Sequence, residues 1–114
     1  MLGLTIAIGG ALFRYDEVLE EQDMEILLDI VSWYELGIWE NHYTYDCLYS
    51  DLDDAVEKIA NDEKINEVVL QLQELEMLLD CIKDMECRNG FDAKRMEIYN
   101  ALMGCYADTL DECQ

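Results

Sequence analysis

Proline is absent from the chain, histidine occurs once, and lysine and arginine together number only seven. Each shortage excludes something. Without proline, nothing marks a stiff interdomain linker and no pyrrolidine ring breaks a helix. Seven bases stand against 27 acids, for a net charge of -20. A basic patch that grips nucleic-acid phosphates is therefore excluded, and so is attraction to an anionic membrane surface. His42 has no second His or Cys at ligand spacing, and Cys47 lies five residues away with no orienting third group for a nucleophilic pair. Gly3, Gly9 and Gly10 form no phosphate-binding loop, and no Gly-Lys-Ser or Gly-Lys-Thr occurs.

The five cysteines, Cys47, Cys81, Cys87, Cys105 and Cys113, are odd in number and include no Cys-x-x-Cys pair. A closed disulfide framework and a zinc knuckle are both disfavoured. This usage fits a reduced, cytoplasmic setting. Asp51, Asp53 and Asp54 resemble the opening of a calcium loop, but the positions that need a ligand, Gly and Glu hold Ala55, Val56 and Asp62. No cofactor, no specific metal and no catalytic residue is expected. With 27 acids any carboxylate pair can be nominated, so pairs carry no signal for an enzyme.

The one long apolar run, Met1 to Phe13, has no base before it, and its first base, Arg14, follows it. That order is the reverse of a signal peptide's, and the run is shorter than the roughly 20 residues of a membrane span. It reads as buried structure.

What is present favours helix. The chain has 114 residues, 52% of them hydrophobic, the length of one domain with a real core. Ile65, Val68, Leu72, Leu75, Leu79 and Ile82 step by three and four, predicting a helix from about Lys64 to Arg88 with Asn89-Gly90 as its stop. Asp92 is the expected N-cap of a last helix whose stripe is Met96, Tyr99, Met103, Tyr106, Leu110 and Cys113. These two form a helical hairpin. Upstream, Ser50 caps a helix from Asp51 to about Asn61, and Val18 to Leu36 reads as another, closed by Gly37. Leu4, Ile6 and Ile8 alternate ahead of Gly9-Gly10, which turns a hairpin in one reading and interrupts a buried helix in the other. Ile38 to Tyr45 is the candidate for a third strand. The expected fold is a mainly α, single-domain helical bundle over residues 1–114. Its alternative is α+β with a short N-terminal hairpin.

The charge is concentrated. Met1 to Arg14 carries one base and no acid, and Tyr15 to Glu63 carries sixteen acids and one base. The rest has eleven acids and five bases. Asp16 and Glu20, Glu17 and Glu21, Glu21 and Glu25, Glu25 and Asp29, and Asp53 and Glu57 are all four apart. On a helix such like pairs are neighbours, and each costs up to about 0.5 kcal/mol. Solubility needs a net charge of only about 2–8 in magnitude. Either the surface serves an electrostatic partner, or the composition has drifted for other reasons. Six aromatics, Trp33, Tyr34, Trp39, Tyr43, Tyr45 and Tyr49, fall within seventeen residues of the same region. Trp and Tyr are enriched at interface hot spots.

In these acidic rows, around Asp16 to Asp29 and Asp51 to Glu63, the chain resembles the small, phage-encoded DNA-mimic inhibitors, the anti-restriction and anti-CRISPR proteins. The likeness is one of composition over about half the chain. It implies a non-enzymatic inhibitor in a bacterial host cell. The inhibitor would occupy the basic DNA or RNA channel of a restriction nuclease or CRISPR effector and bind no nucleic acid itself. The expected contacts are Asp16, Glu17, Glu20, Glu21, Glu25, Asp29, Glu35, Trp39, Glu40, Tyr43, Tyr45, Asp46, Asp51, Asp53, Asp54 and Glu57. A second reading is a helical interaction module or homodimeric adaptor that uses the Ile65–Ile82 and Met96–Cys113 stripes.

Overall fold

The computed structural model describes residues 2–90 and 92–113. Met1, the first residue of the apolar run, lies outside them. Among the described residues the fold is α+β, with four helices and a three-stranded sheet. The purely helical bundle is corrected to the stated alternative, because the N-terminal run forms a hairpin. Strands β1 (Leu2–Ile8) and β2 (Ala11–Leu19) pair antiparallel around Gly9 and Gly10. Both glycines take positive φ, 55° and 86°, as a tight two-residue hairpin turn demands.

The register shifts once. Leu4 pairs with Tyr15 but Leu2 pairs with Leu19, so β2 bulges across Asp16 to Val18. Glu17 there has a φ of 58°, the left-handed conformation that a bulge accommodates. Strand β3 (Glu67–Gln71) pairs parallel to β1 on its other side, giving the order β2-β1-β3. The third strand is thus Glu67–Gln71 and not Ile38 to Tyr45, where Asn41 instead caps a helix.

The parallel pairing needs a crossover. Helices α1 (Glu21–Ser32) and α2 (His42–Ala60) supply it, before α3 (Leu72–Asn89) and α4 (Ala93–Glu112) close the fold. Helix α1 is shorter than the expected Val18 to Leu36, since Val18 belongs to β2 and the chain leaves the helix before Gly37. Helix α2 starts nine residues before Asp51, so Ser50 lies inside it; Asn41 is the true cap, accepting from the Thr44 amide at 3.1 Å. Helix α3 begins at Leu72 rather than Lys64, with Val68 in β3 and Ile65 ahead of it. Asp92 caps α4 as expected, its carboxylate accepting the Arg95 amide at 2.8 Å.

One core joins the sheet to all four helices. Leu2, Leu4 and Ile6 of β1 with Val68 and Leu70 of β3 meet Met24, Leu27, Leu48, Leu52, Leu75 and Leu78. The opposite side of the sheet carries Thr5 and Ala7, flanked by exposed Leu12 and Val69. Helix α4 enters the core through Ile98, Leu102, Cys105 and Thr109. Its expected stripe is corrected: Met96 and Met103 are exposed, as is Cys113, and Tyr99, Tyr106 and Leu110 are half-buried. The Tyr15 and Thr109 hydroxyls hydrogen-bond at 2.7 Å, tying β2 to α4.

Candidate protein-binding surface

Helix α1 owes its exposed acidic row to its apolar one. Met24, Leu27, Ile30 and Val31 are buried, which turns Glu21, Glu25 and Asp29 to solvent one above another. Trp33, the next step of the same row, caps the helix and is 68% exposed. Helix α2 repeats the division. Thr44, Leu48, Leu52 and Ala55 are buried, and Tyr43, Asp46, Asp53 and Glu57 are exposed. The α1 row therefore ends, and the α2 row begins, at the loop over residues 33–41.

The bases are mostly spent elsewhere. Lys94 reaches Glu20 and buried Asp23, each at 3.2 Å, and Lys58 pairs with Asp54 at 3.1 Å. Arg88 lies 3.1 Å from Asp84 and 3.8 Å from Glu35. Lys83 and Arg95 pair with Glu86 and Asp92. Among the described residues no ion pair engages Glu21, Glu25, Asp29, Asp46, Asp53 or Glu57.

The sixteen expected contacts divide accordingly. Glu21, Glu25 and Asp29 form the α1 row, and Tyr43, Asp46, Asp53 and Glu57 the α2 row. Asp16 and Glu17 are exposed on the β2 bulge, so Asp16–Glu20 and Glu17–Glu21 are not helical neighbours. Glu20 is half-buried and held by Lys94 and by Gln22, whose amide donates at 2.7 Å. Glu35 and Asp54 are exposed but ion-paired. Trp39 projects from the loop, 94% exposed. Glu40 accepts the Tyr34 hydroxyl at 3.0 Å. Tyr45 is half-buried, its ring 6.4 Å from that of Tyr34.

Asp51 lies against a group the sequence reading passed over. Glu74 is 4% exposed; its Oε2 accepts the Gln71 amide at 2.8 Å, and its buried Oε1 has no hydrogen-bond partner among the described residues. Burial first, and the nearby Asp51 carboxyl second, push Glu74 up to about 7. An acid amid the apolar residues Leu72, Leu75 and Leu79 was its sequence signal. Trp33 and Ile38 were also left out of the expected contacts, although both are exposed.

Among the five free thiols, Cys87 and Cys113 are exposed and Cys47 is half-buried. Cys81 is buried, and burial pushes its thiol up to about 12. Among the described residues no group of three or more His, Cys, Asp and Glu is placed to hold a metal ion. No helix among them is long and apolar enough to cross a membrane. Comparison of the chain with protein-family models, with curated proteins and with solved structures finds no match.

Proposed function

We propose that the chain is a non-enzymatic inhibitor of the nucleic-acid-mimic kind, which lays its acidic helices into the basic DNA or RNA channel of a nuclease or guide complex. The observation that carries this reading is the unpaired carboxylate row Glu21, Glu25 and Asp29 on α1. At about 1.5 Å per residue that row spans about 12 Å of helix axis. One strand of DNA carries about one phosphate per 3.4 Å of axis, hence about three to four in the same length. The row thus approaches the charge density of a single strand on a rigid support. Asp46, Asp53 and Glu57 extend the field along α2. A channel evolved for phosphates is attracted to such a field at long range and releases counterions on binding it.

The test is a pull-down from nuclease-treated bacterial lysate, eluted with rising salt, beside an unrelated acidic protein of matched charge. Selective recovery of one nuclease or guide complex, released by salt, is the expected result. Recovery of the same basic proteins on both baits contradicts it.

The second reading, a helical interaction module, has one observation of its own. A cleft of about 350 Å³ between α3 and α4 is lined by Leu79, Lys83, Tyr99, Met103 and Tyr106 among others. On this reading contact with Leu79, Tyr99, Met103 and Tyr106, beside the charges of Glu76, Asp80 and Lys83, carries the binding, which depends less on salt than a mimic's does. Salt dependence separates the two.

A further inference from the structure

Among the described residues, five of the nine exposed large hydrophobic residues lie between positions 33 and 49, and Ile38 and Trp39 sit on the loop itself. Ile38 is 84% exposed and Trp39 94%, with Tyr43 at 78% on the first turn of α2. Single exposed apolar residues are ordinary, whereas two adjacent, almost fully exposed large ones on a single turn suit a contact.

The loop that carries them is held from within. The Tyr34 amide donates to the Val31 carbonyl at 3.1 Å, and its hydroxyl donates to Glu40 at 3.0 Å. The Glu40 amide donates to the Gly37 carbonyl at 3.1 Å, closing a turn around Ile38 and Trp39. The Tyr45 hydroxyl donates to the Val31 carbonyl at 2.6 Å. Two tyrosines are thus used to pin the loop, and the two bulkiest apolar groups of the turn are left pointing away. A side chain presented on a pinned turn loses less freedom on binding than one on a free loop.

We infer that the Ile38–Trp39 turn is a preformed anchor that inserts into an apolar pocket rimmed by lysine and arginine on a partner protein. The rim follows from charge complementarity, because Asp29, Glu35, Glu40 and Asp46 border the turn in sequence and all but Glu40 are exposed. An anionic lipid surface is repelled by the same carboxylates. The inference rests on the proposed mimic reading and deepens it. The acidic rows provide encounter, and the anchor provides residence.

The probes are two synthetic peptides of equal length and charge. One is an amphipathic Lys/Leu helix, and the other replaces every Leu by Ser. Vesicles of phosphatidylcholine are the third arm. A Trp33→Phe variant leaves Trp39 as the one reporting indole. The Lys/Leu peptide should bind at least tenfold more tightly than the Lys/Ser peptide and shift Trp39 emission to the blue. The double variant Ile38→Ser/Trp39→Ser should equalise the two peptides while leaving Lys/Ser affinity and the helical circular dichroism unchanged. Equal affinities in the parent overturn the anchor alone, as does a preference that survives the double substitution. A blue shift on vesicles without one on the Lys/Leu peptide overturns it in favour of lipid. Binding of neither peptide overturns the acidic-surface reading, and the anchor with it.

Discussion

The hydroxyl of Tyr45 donates to the carbonyl of Val31 across 2.6 Å, joining the first turn of α2 to the last turn of α1. That carbonyl is one of the helix-end acceptors with no partner inside α1. Burial raises the Tyr45 hydroxyl above its ordinary pKa, so it remains a donor throughout the physiological range. The bond fixes where the two acidic rows meet and how the intervening turn is held.

Tyr45→Phe removes this bond and little else. It should destabilise the fold by about 1 kcal/mol, the usual net value of one hydrogen bond. Denaturant unfolding measures the loss, and amide exchange at residues 34–41 should quicken more than exchange in the core. An unchanged loop would mean that the stacking of Tyr34 on Tyr45 holds the turn by itself.

The α1 row stores repulsion. Glu21→Gln/Glu25→Gln/Asp29→Asn deletes two like-charged i,i+4 pairs, each costing about 0.2–0.5 kcal/mol. The triple variant should melt higher than the parent at low salt. The gap should close as salt screens the parent's charges.

Glu74 supplies a pH dependence of defined sign. Its pKa is raised to about 7 in the folded chain, against an ordinary value of 4.5. The folded state therefore holds the proton more tightly, and its contribution is complete below about pH 4.5 and lost as pH rises through 7. Glu74→Gln should remove that loss and exceed the parent's stability at pH 8 by about 1–3 kcal/mol. The difference between the two proteins should vanish near pH 4. Denaturant midpoints taken from pH 4 to 8 provide the check.

Helix α4 gives a paired prediction on neighbouring residues. Leu102 is 0% exposed, and Leu102→Ala should cost about 2–5 kcal/mol. Met103 is 36% exposed, and Met103→Ala should stay within about 1 kcal/mol. Equal losses would contradict the orientation of the helix.

That orientation illustrates what the sequence hid. The stripe Met96, Tyr99, Met103, Tyr106 has perfect helical spacing, yet Ile98, Leu102 and Cys105 have it too. Helical period finds a helix and leaves its buried face open when two faces are apolar. Strand β3 was masked in a similar way. Ile65, Val68 and Leu72 step by three and four, but Val68 and Leu70 are buried while Glu67, Val69 and Gln71 are exposed, the period of two. The apolar Val69 concealed the alternation. Ser50 drew the start of α2 to Asp51 because it is a good cap residue, whereas the cap actually used is Asn41. Asp92 was legible as a cap, whereas Gly9-Gly10 indicated the hairpin only as the alternative to a helix, since glycine both turns a hairpin and interrupts a helix. The α1 acidic row was legible at Glu21, Glu25 and Asp29, and misread at Asp16 and Glu17, where a bulge replaces the helix.

The central claim is that unpaired carboxylates on α1 take the place of nucleic-acid phosphates. The most direct measurement is displacement of fluorescent duplex DNA from a panel of purified restriction nucleases and guide-loaded CRISPR effectors. Parent protein and the Glu21→Lys/Glu25→Lys/Asp29→Lys variant are compared from low to moderate salt. The account predicts that the parent displaces DNA from at least one of them and that rising salt weakens this steeply. The variant, with its circular dichroism intact, should fail to displace. Displacement by the variant equal to the parent's, or no displacement from any member beyond that of a charge-matched acidic protein, would contradict the claim.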